Sequence, residues 1–163
     1  MCLNNCDYVY EELKKLNIEY EVVSHPPALD IKTADEYIEG KEGLRTKTLF
    51  LCDKKKKNYF LLAMDENKRI DIKALAEKLN QRSLSFVSEE RMLDLIGLKP
   101  GMVSVFGILN DTNGKVTVVL DKDMQGETLT FYANDCTKTV FLSFDSVIKF
   151  IEGQGNEMEL LDL

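Results

Sequence analysis

Four consecutive lysines, Lys54, Lys55, Lys56 and Lys57, stand between two apolar runs at 49–51 and 59–64. Short apolar runs bounded by polar residues read as strands, and a row of ammonium groups belongs in water, so the stretch predicts a hairpin closed by a solvated lysine turn. An RNA-steering patch is the alternative use of the same four charges. A two-stranded ribbon is marginal in water by itself, so this one has to be covered by other elements. Alternation sets Lys47, Leu49 and Leu51 on one face of its first strand and Thr48, Phe50 and Cys52 on the other. Lys47 therefore shares a face with two leucines, and must snorkel, find an anion or line a cavity.

The rest of the pattern supplies the covering. Val9, Leu13 and Leu16 recur at helical spacing after an expected cap at Asp7, and Asn17 ends that helix before an alternating strand at 18–23. Pro26–Pro27 stops the strand, and a capping box of Thr33 with Glu36 opens a short helix that Gly40 closes. A helix is expected at 71–79, with Ile72, Leu75 and Leu79 inward, and another from the Ser88 cap to Gly97. After Pro100–Gly101, strands at 103–109 and 116–120 are expected to be joined by a turn containing Asn113–Gly114. Strands at 128–132 and 138–142 follow, and Ser143 caps a last helix through Ile151. Some six or more strands mixed with short helices, without regular βα alternation, predict an α+β fold: a mixed, barrel-like sheet surrounded by short helices. The 163 residues suffice for one domain, 1–163, burying roughly 70% of the surface of the unfolded chain.

Composition removes several classes of function. Apolar residues at 44% and charged residues at 30% argue against extensive disorder. No apolar run approaches the ~20 residues of a membrane helix. The first residues, MCLNNCDYVYEELKK, are mixed polar and acidic rather than a secretory signal, so a cytoplasmic location is expected. A net charge of −7 disfavours broad nucleic-acid binding, DNA included, and leaves room for a local contact with one RNA end. Cys2, Cys6, Cys52 and Cys136 form no CxxC pair and His25 is the only histidine, so neither metal nor other cofactor is expected and the thiols read as reduced. Cys136 as a nucleophile would have to recruit His25 from a distant segment beside two prolines. No Ser–His–Asp set, phosphate loop or paired-carboxylate signature is present. Gly101 serves either a turn or the close approach of a ligand, and Tyr132 reads as a half-buried aromatic with its hydroxyl at the surface. Asn110–Asp111–Thr112 reads as a strand exit.

Taken in order, SHPPALDIKTADE, RTKTLFLCDKKKKNYFLLAM, IDIKALAEKL, the segment from Leu95 through KPGMVSVFGILND, and KVTVVLD resemble the YbaK/prolyl-tRNA editing-domain family. The likeness is nearest to its free-standing branch, which resembles the editing insert of bacterial prolyl-tRNA synthetase, and runs from His25 to the C-terminal residues. It implies metal-independent hydrolysis of the ester of a mischarged tRNA, commonly alanine on tRNA for proline. A synthetase pocket that admits proline cannot exclude alanine by size, and each missing methylene gives only ~1–3 kcal/mol of discrimination, so a second sieve is useful. The resemblance makes Lys47 the principal functional residue and Gly101 its backbone-contact partner. It places His25, Ile31, Ala34, Thr48, Ser104 and Tyr132 at substrate-binding positions, with Ile31 and Ala34 as an apolar wall. The implied partners are the 3′ end of aminoacyl-tRNA, that of tRNA(Pro) first, and prolyl-tRNA synthetase itself. Removal of cysteine or another small residue, and a non-catalytic tRNA- or synthetase-binding module, are the alternatives. The chain departs from the family pattern at Thr48, where Asn is common, at Val105, where a proline is usual, and at Tyr132, where histidine is frequent.

Overall fold

The computed structural model describes residues 6–163. Helix α1 (Cys6–Lys15) buries Val9 and Leu13, and the chain turns out of it at Asn17, whose φ of 56° lies in the left-handed region. Asp7 is already inside the helix rather than at its cap. Strand β1 (Glu21–Ser24) begins three residues later than the alternation suggested. Helix α2 (Ile31–Tyr37) is capped by Asp30, whose carboxylate accepts from Thr33 N–H at 2.7 Å, so the Thr33–Glu36 capping box does not form. Asp30 is the better cap because it directly precedes the first helical turn and brings negative charge to its N-terminus.

The lysine hairpin forms as expected from β2 (Leu44–Asp53) and β3 (Tyr59–Asp65), paired antiparallel from Thr46↔Asp65 to Cys52↔Tyr59. Its four lysines are exposed, and Asp53 holds the turn by accepting from Lys57 N–H at 2.8 Å and Asn58 N–H at 3.2 Å. Helix α3 (Ile72–Lys78) is capped by Asp71 and α4 (Glu89–Ile96) by Ser88, with Gly97 left-handed at its end. Between them lies β4 (Leu84–Phe86), three residues that the sequence pattern does not reveal.

The run at 103–109 is not a strand. It forms a 3-10 helix, Val105–Asn110, and Val105 through Leu109 are all buried. Ser104 starts it by accepting from Phe106 N–H, and Asn134 Nδ2 donates to Phe106 O at 3.0 Å. An apolar run buried on every side carries no period that distinguishes helix from strand. The Asn113–Gly114 turn accordingly leads out of this helix into β5 (Val116–Asp121) instead of closing a hairpin. Asp111 organises the exit, accepting from Lys115 N–H, Val116 N–H and Asn156 Nδ2. After a short 3-10 turn come β6 (Thr128–Tyr132), β7 (Lys138–Ser143), α5 (Phe144–Gln154) and β8 (Met158–Leu161), the last also absent from the sequence reading.

The fold is α+β. Its eight strands form one mixed sheet in the order β1-β7-β6-β2-β3-β5-β8, with β4 added to β2, and the sheet does not close on itself. Alternation along the hairpin divides the core. Phe50, Cys52, Tyr59, Leu61 and Ala63 join the larger cluster, with Val9, Ile96, Phe106 and Phe150, while Leu51, Phe60, Leu62 and Met64 pack on the other face with Leu75 and Leu79 of α3 and its C-cap. Among the described residues no helix is long and apolar enough to cross a membrane. Cys6 and Cys52 are free thiols, but Cys136 is disulfide-bonded, which corrects the expectation that it is reduced and removes it as a nucleophile. Cys2 lies outside the described residues.

Candidate functional site

Strand β2 has β3 along one side, but its other side is only partly covered. There β6 runs parallel to it at Leu44 and Arg45, and β4 pairs with it at Leu51, Cys52 and Asp53. Between these contacts the sheet parts. Thr46 secures the fork by donating its hydroxyl to Thr130 O, and Thr130 returns a bond to Leu44 O at 3.3 Å. The opening is roofed by α2 and forms a cavity of about 230 Å³.

Its walls come from four directions. Ile31, Ala34, Asp35 and Ile38 descend from α2, and Thr46 through Leu49 follow β2. Thr130, Phe131 and Tyr132 face them from β6 with Thr139 of β7, while Gly101 and Val103 close the side before the 3-10 helix. Lys47, Gly101, Tyr132, Ile31, Ala34 and Thr48 thus meet around one concavity despite their separation in sequence.

Lys47 finds a partner as well as a cavity: its ammonium donates to the main-chain oxygen of Lys68. That acceptor is held in place, because the Lys68 side chain is paired with the buried Asp121 at 2.7 Å and with Asp123 at 2.5 Å. An ammonium has three donors, so Lys47 keeps capacity for a ligand oxygen. Gly101 has φ +87°, and a Cβ there would lie 2.1 Å from Leu29 O. The glycine is required by the approach of the 28–30 segment whatever it does for a ligand.

Tyr132 is buried rather than surface-tipped. Its hydroxyl donates to Ala28 O at 2.9 Å, with Asp30 O at 3.3 Å, and so ties down the segment leading into α2. Burial, with the charges of Asp30 and Asp35 adding to it, pushes this hydroxyl up to about 12, so it remains a donor. His25 stands behind the wall: Nε2 is 2.8 Å from the Thr139 hydroxyl, Nδ1 is 2.9 Å from Pro26 O, and the ring stacks on Tyr37. The Pro26 carbonyl can only accept, which places a proton on Nδ1. Ser104 does not reach the cavity lining. It is fully buried, donating to Tyr132 O at 2.7 Å and capping the 3-10 helix.

The sequence reading missed one group at the rim. Asp35 of α2 meets Glu66, the residue after β3, and burial pushes the Glu66 carboxyl up to about 7, with the Asp35 hydrogen bond and the charges of Asp35 and Asp65 adding to the effect and Arg45 opposing it. Glu66 Oε2 is buried without a donor, as expected where two carboxyls meet and one retains a proton. The two residues are thirty-one positions apart, with no spacing signal to join them.

Residues 25–150 match the model of the aminoacyl-tRNA editing domain. The chain belongs to that family. It is 33% identical over 156 residues to the prolyl-tRNA editing protein ProX of Acetoanaerobium sticklandii, covering 95% of each chain. It is 31% identical to prolyl-tRNA synthetase associated domain-containing protein 1 of Mus musculus, over 93% of this chain and 92% of the relative. A solved structure described as a "putative trans-editing enzyme for prolyl tRNA synthetase" superposes with a TM-score of 0.76 at 17% identity, covering 100% of this chain and 98% of the other. That last likeness concerns the fold. The editing-domain resemblance and the α+β architecture read from sequence are thereby established, and the cavity just described lies within the matched segment.

Proposed function

We propose that the protein is a trans-editing aminoacyl-tRNA deacylase that hydrolyses the ester of Ala-tRNA(Pro). The observation that carries this reading is a cavity of about 230 Å³ with apolar walls from Ile31 and Ala34 and one cation, Lys47, at its edge, inside an editing domain. The names of the relatives, a prolyl-tRNA editing protein and a synthetase-associated domain protein, point to tRNA(Pro) and to prolyl-tRNA synthetase as partners. An alanyl methyl offers little apolar area, so selection rests on walls that clash with larger groups rather than on attraction. Lys47 and Gly101 act on the substrate in this reading, with Thr48 and Tyr132 shaping its seat. His25 and Ser104 act through others, by orienting Thr139 and by fixing the main chain at Tyr132.

An ester is activated relative to an amide, so positioned water and donors aimed at the developing charge are enough without a protein nucleophile. The oxygen of water bonds to the acyl carbon, the bond to the ribose oxygen breaks, and the water proton ends on that oxygen. Lys47 supports the step from the wall, through the N–H groups not given to Lys68 O.

The test is the initial rate of deacylation on alanine-, cysteine- and proline-charged forms of one tRNA. Alanine should be released fastest, cysteine more slowly and proline negligibly. Lys47→Ala should lower the alanine rate roughly a hundredfold while costing only about 1 kcal/mol of stability for its one hydrogen bond. Release of proline as fast as alanine rejects the second sieve. Binding of the tRNA without release of any amino acid makes the domain a non-catalytic module.

A further inference from the structure

The main chain of β2 holds hydrogen-bonding capacity that the rest of the fold leaves unused. Its odd-numbered residues turn toward β3: Arg45 O accepts from Glu66 N–H at 3.0 Å, and Asp53 N–H donates to Asn58 O at 3.1 Å. Successive residues of a strand direct these groups to opposite sides, so the even-numbered ones turn away from β3. Phe50 shows this, its O accepting from Val87 N–H at 3.0 Å. On that side the neighbours are β6 at 44–45 and β4 at 51–53. Thr48 lies between them at the cavity wall, and among the described residues no strand pairs with it on that side and no hydrogen bond reaches its main chain there.

An aminoacyl ester presents an ammonium, one Cα and a carbonyl, which is the main chain of a single residue. In a hydrogen-bonded antiparallel pair, two facing residues exchange both of their N–H···O bonds. Building on the deacylase reading, we propose that the aminoacyl group of the substrate pairs with Thr48 as a one-residue β-bridge in the gap between β6 and β4. Its α-ammonium donates to Thr48 O, and Thr48 N–H donates to the ester carbonyl oxygen.

The second bond gives the mechanism an electrostatic group. As the oxygen of water bonds to the acyl carbon, the carbonyl electron pair moves onto the oxygen that Thr48 N–H faces, and it returns when the bond to ribose breaks. Two hydroxyls at the wall are already committed, that of Thr46 to Thr130 O and that of Tyr132 to Ala28 O, so Thr48 N–H acts beside the spare N–H groups of Lys47. The pairing reads main chain alone, so it holds any aminoacyl group in the same register and leaves discrimination by size to Ile31 and Ala34. It is also indifferent to the side chain at position 48, where this chain has Thr and the family often has Asn.

Thr48→Pro removes the N–H. That group takes no part in the β2–β3 ladder, so the substitution breaks no interstrand bond, and the extended backbone before it suits a residue preceding proline. Thr48→Ala keeps the N–H and measures the share of the side chain. The proline variant should show a kcat on Ala-tRNA(Pro) about a hundredfold below that of the alanine variant. Equal rates overturn the proposal. If circular dichroism shows the proline variant unfolded, replacing Thr48 by its α-hydroxy acid deletes the same N–H without a ring, and the same comparison decides. A second readout does not require turnover: in ¹⁵N–¹H spectra, hydrolysis-resistant 3′-alanylamino-3′-deoxyadenosine should shift the Thr48 amide downfield in both the parent and Lys47→Ala. An unmoved Thr48 amide in a saturated complex overturns the pairing even where the parent deacylates. A parent that releases no amino acid but shows the shift refutes the deacylase reading and retains the bridge.

Discussion

The two halves of β2 belong to one continuous strand, Leu44–Asp53, and have opposite fates. From Phe50 to Cys52 the strand is buried, with β3 on one side and β4 on the other. From Leu44 to Leu49 it is only half-buried, and beyond Arg45 one side has no strand beside it. Both halves alternate and both pair with β3, so strand formation alone does not separate core from site. The second neighbour does. Where it is present the strand becomes interior, and where it is missing the side chains and main chain of Thr46 to Leu49 border a cavity.

The largest effect should come from the closed half. Phe50 is 2% exposed within the main cluster, and Phe50→Ala should cost about 3–5 kcal/mol in denaturant unfolding through lost burial and the void left behind. A loss below about 1 kcal/mol would mean that this end is no more tightly built than the cavity end, and the contrast would fail. The open half should respond to Gly101→Ala by a smaller amount, about 1–3 kcal/mol, with a disproportionate loss of deacylation. The new Cβ would strike Leu29 O, in the segment that Tyr132 ties to the entrance of α2. Gly40 has nearly the same φ, +86°, with nothing within 4 Å of a Cβ, so Gly40→Ala carries the backbone penalty without the collision. Equal effects of the two substitutions would show that Gly101 is held by its φ alone.

What could be read from sequence was the part decided locally. The caps at Ser88 and Ser143 each depend on a side chain and an amide three residues on, and both form. The two faces of the hairpin depend only on alternation, and the split of Phe50 from Leu51 follows it. Lys47 stood out for the same reason, as a charge on an apolar face. The cavity depends on who lies beside β2 on its far side, and that is decided by pairings such as Leu44↔Leu129, about half the chain apart. No local pattern reports them. Strand β4 is too short to be seen, and the run at 103–109 is buried on all sides, which removes the period that would have marked it as helical. The family resemblance supplied the candidate positions, but not the work of Ser104 and Tyr132, whose polar atoms bond to main chain from distant segments.

The smallest effect concerns how the open half is fastened. The closed end is held by apolar packing, which is insensitive to pH, whereas the open end meets α2 through Asp35 and Glu66. Burial pushes the Glu66 carboxyl up to about 7 in the folded chain, against its ordinary value of 4.5. A group whose pKa is raised by folding binds its proton more tightly in the native state, so its contribution to stability is full below about 4.5 and is lost as pH rises through about 7. At most one proton is involved, and the group is partly exposed, so the effect should be a change of slope rather than a collapse. Glu66→Gln carries no charge at any pH and lacks this dependence. Its Tm should stay nearer to constant between pH 5 and pH 8 while that of the parent falls, and the variant should gain on the parent above pH 7. The other titratable groups are common to both proteins, so the difference between the two curves isolates Glu66. Parallel curves would mean that the two carboxyls share no proton, and that α2 is held over the cavity by Tyr132, its Asp30 cap and apolar contacts alone.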